Sequence, residues 1–190
     1  MPLTFANKVT IGRILIVPFF IALVLYYSPE RDDLRFMALG LFSVAVISDV
    51  IDGYIARTRK QKTRAGAILD PLADKMLLIS AFICLTIKGG VFPVVRFPLW
   101  LVVAVISRDV ILLLGAMIIY LVQGSLTITP TKWGKATTFF QICCIIAMFL
   151  QGPISPVLWF ITAGLTMISG VGYLLNGIKI LNDASMASSR

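Results

Sequence analysis

The chain has 190 residues, 58% of them hydrophobic, and a mean hydropathy of +0.94. Soluble domains carry roughly 45–50% apolar residues, so this composition excludes an ordinary soluble globule and reads as an integral membrane protein. Its formal charge of +8 falls between apolar runs rather than along a basic stripe. That excludes a nucleic-acid partner and points to cationic loops beside anionic membrane lipids. Histidine is absent, so imidazole bases, phosphohistidine chemistry and most zinc sites are excluded. Cys84, Cys143 and Cys144 lie inside apolar runs, where they read as small core residues rather than a disulfide framework.

In chain order, residues 1–12 mix Phe5, Val9 and Ile11 with Asn7, Lys8 and Thr10, a pattern expected to lie along the membrane interface as a short amphipathic helix. The first span runs from about Ile14 to Tyr27. No small-x-small cleavage site follows it before Asp33, which favours a membrane anchor over a signal peptide. Pro18 should kink this helix without ending it. The second span, about Leu34–Arg57, exceeds the ~20 residues that cross a bilayer. Thr58–Ala65, with Arg59, Lys60, Lys62 and Arg64, reads as a polar turn. The third span covers about Ile68–Ile87 and the fourth about Leu99–Val122. Gln123–Lys135 reads as a loop. The fifth span is about Ala136–Leu150, broken by Gly152-Pro153-Ile154-Ser155-Pro156. The sixth is about Val157–Ile178, where Gly164, Gly170 and Gly172 offer close helix approach. Residues 182–190 form a polar tail expected to fray. The expected fold is all-α and membrane-integral: six transmembrane helices in one bundle, a single domain over residues 1–190.

Cations concentrate before the first span, in the second loop, in the fourth loop and after the sixth span. The positive-inside rule therefore puts both termini and the second loop in the cytoplasm, at a bacterial inner membrane or its equivalent.

The chemistry lies around that second loop. Asp49, Asp52 and Ala56 stand at i, i+3 and i+7, and Gly66, Asp70 and Asp74 at i, i+4 and i+8, so each set lines one helix face. Two antiparallel helices joined at the loop would bring the four carboxylates together. Asp49 lies about nine residues, or ~13 Å, before the helix end. The acids are thus sunk below the headgroups yet open to the cytosol. Acids at the edge of hydrocarbon are expensive without cationic compensation. Oxygen-only donors select Mg²⁺ or Mn²⁺, and four acids exceed what one such ion takes from protein, so two ions are expected. Gly53, Ala56 and Gly66 permit close approach of a ligand, and Arg57 can bond a phosphate bidentately. These residues favour a metal-bound diphosphate.

Asp49-x₂-Asp52-Gly53-x₂-Ala56-Arg57-x₈-Gly66-x₃-Asp70-x₃-Asp74 resembles, at all eight fixed positions, the signature of the CDP-alcohol phosphotransferase family of membrane enzymes. The resemblance implies transfer of a phosphatidyl or similar group from a CDP-linked lipid to an alcohol, with release of CMP, by a homodimer. It implies that Asp49, Asp52 and Asp70 bind metal, that Asp74 is both ligand and base, and that Gly53, Ala56, Arg57 and Gly66 cradle the CDP moiety.

Asn7-x₂-Thr10-x₂-Arg13 is similar to the opening helix of phosphatidylglycerophosphate synthases and eukaryotic-type cardiolipin synthases, on a face able to border the nucleotide; a plain amphipathic anchor is the alternative. Arg108 lies mid-span, where an arginine costs at least ~2.5 kcal/mol on insertion scales. It is read as a cation for an acceptor phosphate, against a structural ion pair with its neighbour or a loop acid. Gly134-Lys135-x₂-Thr138-x₂-Gln141 resembles the Gly-Lys-x-Lys-Thr segment of the glycerophosphate synthases and makes Lys135 a second acceptor candidate, although Thr137 replaces the second lysine. The expected substrates are CDP-diacylglycerol and sn-glycerol 3-phosphate. Phosphatidylglycerol, as in cardiolipin synthesis, is the alternative acceptor, which Ser107-Arg108-Asp109-Val110 also resembles. An ion-coupled transporter is the reading from another class. It would place its acids near the midplane on interrupted helices of inverted repeats, and no repeat is visible.

Overall fold

Apolar runs separated by glycine, proline and charge fold into six helices in the computed structural model: α1 (Phe5–Leu25), α2 (Asp32–Arg59), α3 (Arg64–Ile87), α4 (Leu99–Gln123), α5 (Lys132–Leu150) and α6 (Ser155–Ser188). The structure describes residues 5–59, 64–123 and 132–188, and the side-chain surroundings of residues 12–51, 75–115, 117, 132–173 and 175. No strand occurs among the described residues.

Several helix ends differ from the sequence expectation. From Phe5 onward, the stretch expected as a separate interfacial helix forms the first turns of α1. Gly12 is the one weak helix former at that junction and costs only about 1 kcal/mol, too little to stop the helix. Pro18 lies inside α1 without ending it. The polar turn expected over Thr58–Ala65 is narrower, because α2 runs to Arg59 and α3 starts at Arg64. Residues 132–135, expected in a loop, open α5. There Thr137 Oγ1 donates to Trp133 O at 2.8 Å and Thr138 Oγ1 to Gly134 O at 3.2 Å, which ties down the first turns. The tail expected to fray is helical to Ser188, since residues 182–188 contain neither proline nor glycine to stop it.

The turn between α5 and α6 rests on Gln151, whose φ of 54° is left-handed. Gly152 N–H donates to Ala147 O at 3.1 Å, closing the end of α5 in the manner of a helix C-cap. The Gln151 side chain explains why a non-glycine residue stands there. Its Oε1 accepts from Val94 N–H at 2.9 Å and Val95 N–H at 2.8 Å, and its Nε2 donates to Met148 O at 2.6 Å.

The chain divides into two compact units, Met1–Pro98 with Ile145–Pro153, and Leu99–Cys144 with Ile154–Arg190. In the first, α1 packs against both α2 and α3. Its core includes Phe20, which meets Phe42 with ring centroids 5.8 Å apart and Phe149 at 6.1 Å. One end of this unit is knitted by Tyr27 stacked on Phe92 at 4.7 Å and by Arg35 paired with Asp32 at 2.6 Å. In the second unit α4 packs against α6. Cys144 Sγ lies 3.0 Å from Thr162 Oγ1, so this cysteine serves the core, as expected. Of the three glycines expected to bring helices together, Gly170 alone has a close neighbour: a side-chain carbon there would meet Arg108 Cγ at 3.8 Å, whereas one at Gly164 or Gly172 would meet nothing within 4 Å.

The distribution of polarity is inverted relative to a soluble protein. Large apolar side chains such as Leu15, Phe19, Val44, Ile47, Val103, Phe160, Met167 and Val171 are exposed. Arg13, Arg108, Asp109, Thr137, Gln141, Thr162, Thr166 and Ser169 are buried. Such an apolar exterior is stable only against hydrocarbon. Three stretches of helix among the described residues are long and apolar enough to cross a membrane, Asp32–Ile51, Lys132–Leu150 and Ser155–Tyr173, with shorter apolar helices at Gly12–Leu25 and Lys75–Ile87. The chain is a membrane protein.

Candidate active site

The acid-bearing signature lies on helix throughout its described length. Asp49, Asp52, Gly53, Ala56 and Arg57 belong to α2, and Gly66, Asp70 and Asp74 to α3. The side chains from residue 52 to residue 74, and those of Asn7 and Thr10, lie outside the described residues. Asp49 is therefore the one acid of the four whose surroundings are described. Packing of α1 against α2 sets Arg13 beside it: Arg13 Nη2 stands 2.8 Å from Asp49 Oδ1. The pair is lopsided. The arginine side chain is 4% exposed and the aspartate 39%. The sequence reading put Arg13 with Asn7 and Thr10 on a face able to border the nucleotide; of the three, Arg13 alone is among the residues whose side chains are described, and it is buried beside Asp49.

An acid paired with a buried cation yet itself more than a third exposed is chemically suited to a hard cation. A carboxylate has two oxygens and about four lone-pair positions, so pairing with a cation and metal ligation are compatible in one aspartate. With no histidine in the chain and the thiol of Cys84 buried, the described donor chemistry fits Mg²⁺ or Mn²⁺. No group of three or more acidic or thiol ligands is complete among the described residues.

The second unit holds the acceptor candidates. Arg108 on α4 is gripped from two sides. Its Nη1 donates to Asp109 Oδ1 at 2.7 Å and its Nη2 to Ser169 Oγ on α6 at 2.6 Å, with the Tyr173 ring 5.8 Å from its Cζ. The ion pair with the sequence neighbour, one of the two readings of Arg108, is thus present. Three of the five guanidinium N–H groups are not used by these bonds, and Nε has no hydrogen-bond partner among the described residues. Lys135 is exposed in the first turn of α5.

Sequence reasoning missed two features of this unit. Thr137, noted only as a substitute for a lysine, is fully buried, and its hydroxyl also lies 3.1 Å from Leu165 O of α6. Gln141 is likewise fully buried, with neither amide atom bonded among the described residues. The spacing Thr137, Gln141, Cys144 at i, i+4 and i+7 was the available signal, a polar stripe on one helix face.

Comparison with known proteins agrees with the signature. A family model described as CDP-alcohol phosphatidyltransferase matches residues 3–171, through parts of both units. A probable phosphatidylglycerophosphate synthase of Mycobacterium tuberculosis is 30% identical over 190 residues, covering 97% of this chain and 86% of that protein. The CDP-diacylglycerol–glycerol-3-phosphate 3-phosphatidyltransferase of Aquifex aeolicus is 30% identical over 185 residues, covering 92% of this chain and 96% of its own length. A cardiolipin synthase (CMP-forming) of Rattus norvegicus is 31% identical over 204 residues, covering 94% of this chain and 63% of that protein. A sequence whose eight signature residues fall on two consecutive helices, inside a match that runs through nearly all six, is not a borrowed motif: the chain belongs to the CDP-alcohol phosphatidyltransferase family.

Proposed function

We propose that this chain transfers a phosphatidyl group from CDP-diacylglycerol to sn-glycerol 3-phosphate, giving phosphatidylglycerophosphate and CMP at the cytoplasmic face of the membrane. The observation that carries the reading is the complete acid signature within the span that matches the family. The names of the Mycobacterium and Aquifex relatives support the acceptor. Family membership leaves the transporter reading without support. The single domain over residues 1–190 and the homodimer are carried by the same resemblance.

In this reading Asp49, Asp52, Asp70 and Asp74 hold two Mg²⁺ or Mn²⁺ ions, which when bound supply compensating positive charge to the diphosphate of the nucleotide-lipid. Asn7, Thr10, Gly53, Ala56, Arg57 and Gly66 bind the CDP-lipid, with Arg57 bonding a phosphate and the small residues admitting it closely. Asp74 accepts the proton of the acceptor hydroxyl. The acceptor oxygen then forms a bond to the lipid-bearing phosphorus, and the bond from that phosphorus to CMP breaks. An aspartate among cations is a weak base; its advantage is position beside an aligned hydroxyl. Arg108 and Lys135 bind the acceptor phosphate.

The second reading, cardiolipin synthesis with phosphatidylglycerol as acceptor, is favoured by Thr137. At this position a lysine of the glycerophosphate synthase motif is missing, and its replacement is buried against α6. Purified protein with CDP-diacylglycerol and Mg²⁺ separates the two: CMP release should depend on glycerol 3-phosphate, and phosphatidylglycerol should not substitute for it. Asp70→Asn or Asp74→Asn should abolish turnover, and acceptor-independent CMP release would overturn the proposal.

A further inference from the structure

We propose that Ser169 of α6 is a positioning residue for acceptor recognition, fixing the rotation of the Arg108 guanidinium in the orientation that meets the acceptor phosphate. The inference rests on the reading of Arg108 as the acceptor cation and deepens it by assigning the residue that orients that cation. Three observations carry it. Arg108 Nη2 donates to Ser169 Oγ at 2.6 Å, with the arginine side chain 5% exposed and Ser169 2%. At Gly170, the next residue, a side-chain carbon would meet Arg108 Cγ at 3.8 Å, so stem and head of the arginine both lie against α6. The buried hydroxyls one and two turns earlier on α6 are used differently. Thr166 donates to Thr162 O of its own helix at 2.6 Å, and Thr162 Oγ1 meets Cys144 Sγ at 3.0 Å. Of these three hydroxyls, Ser169 is the one bonded to a charged group.

The two bonds on Arg108 do different work. Asp109 is its neighbour on α4 and supplies the countercharge that a buried cation needs. Ser169 comes from another helix, so its bond sets the angle of the guanidinium relative to α6. A guanidinium has donors only, so the hydroxyl accepts, and being neutral it orients the cation without cancelling its charge. A carboxylate at this position would hold the fork as firmly, but with Asp109 it would make the cluster net negative and repel a phosphate. Without the hydroxyl, the ion pair with Asp109 keeps the arginine charged and in place while the fork is free to turn. Orientation is then lost without loss of the cation, and an oriented fork is what a planar guanidinium offers a phosphate beyond point charge.

Initial rates of CMP release by the purified full chain test this. Ser169→Ala should raise the KM for glycerol 3-phosphate about tenfold, the scale of one hydrogen bond to a charged group, and leave the KM for CDP-diacylglycerol unchanged. Ser169→Thr keeps the hydroxyl and should restore most of the acceptor KM. Because Ser169 acts through the arginine, Ser169→Ala added to Arg108→Lys should raise the acceptor KM no further than Arg108→Lys alone. Single effects that multiply in the double variant overturn the inference, since Ser169 would then act independently of Arg108. So does a Ser169→Ala variant with a lower melting temperature and active fraction but an unchanged acceptor KM. If Arg108→Lys itself leaves the acceptor KM unchanged, the reading of Arg108 fails, and this inference with it.

Discussion

Replacing Arg108 by lysine separates an acceptor-binding cation from a structural one, and the structure sets the size of the effect. The guanidinium spends one N–H on Asp109 and one on Ser169, at 2.7 and 2.6 Å. Nε is itself buried, without a hydrogen-bond partner among the described residues, and it and two further N–H groups are not spent on these bonds. Lysine keeps the charge beside Asp109, so the unit is not left with a buried acid stripped of its cation, a loss that would cost about 3–5 kcal/mol. What lysine cannot keep is a planar fork that bonds Asp109, Ser169 and a phosphate together. Losing one charge-assisted bond costs about 1.5–3 kcal/mol, which at 1.4 kcal/mol per tenfold is about ten- to a hundredfold. In initial-rate assays of CMP release, Arg108→Lys should therefore lower kcat/KM for glycerol 3-phosphate by that factor. The KM for CDP-diacylglycerol should stay within about twofold. A purely structural arginine predicts a different result: a lower melting temperature and a smaller active fraction, reducing kcat while both KM values hold. Equal losses toward both substrates, or no loss toward the acceptor, would refute the assignment.

Chelation with EDTA should abolish CMP release, and added Mg²⁺ or Mn²⁺ should restore it; turnover that survives chelation contradicts the two-ion reading. Gln151→Ala removes the bonds to Val94, Val95 and Met148 and should destabilise the chain by about 2–3 kcal/mol in thermal unfolding. Gln151→Gly loses the same bonds but relaxes the left-handed backbone, so it should be the more stable of the two by about 1 kcal/mol. Thr137→Lys, which rebuilds the missing lysine of the motif, should lower the melting temperature without raising glycerol 3-phosphate turnover, because the site is fully buried and bonded to α5 and α6 backbone.

The helices were legible because hydropathy alone dictates them, and all six lie where the apolar runs lie. Their ends were not, because polar residues at a membrane surface extend a helix as readily as they end it. Lys132–Lys135 at the start of α5 and Asn182–Ser188 at the end of α6 are the clear cases. The acid signature was legible because its spacing repeats a helical face. The partners of its charges were not. Arg13 and Asp49 are separated by most of α1, a turn and more than half of α2, and no sequence pattern announces that those two faces meet. The role of Thr137 was not legible for a related reason: the sequence shows only that it replaces a lysine, while helix packing sets its hydroxyl against the neighbouring helix.

The two buried ion pairs follow opposite designs, and the difference bears on what each is for. A buried pair is weak evidence for stability, since apolar residues of similar volume often do as well or better, and in a membrane its desolvation is costlier still. In the first unit the cation is enclosed and the acid is open, at 4% and 39% exposure. In the second both partners are closed, at 5% for Arg108 and 0% for Asp109, with Ser169 as a further clamp. Asp49 thus keeps part of its hydration, whereas Asp109 keeps none. Asp109, by contrast, is enclosed against the cation it holds, and that arginine has N–H groups not spent on Asp109 and Ser169. In the proposed reaction the first pair belongs to the acids assigned to metal binding and the second to the cation assigned to the acceptor phosphate. Asp109→Asn gives the check: in assays of CMP release it should weaken glycerol 3-phosphate use while leaving the Mg²⁺ concentration needed for half-maximal rate unchanged. A loss of both properties would mean that the Arg108–Asp109 pair serves the fold rather than the acceptor.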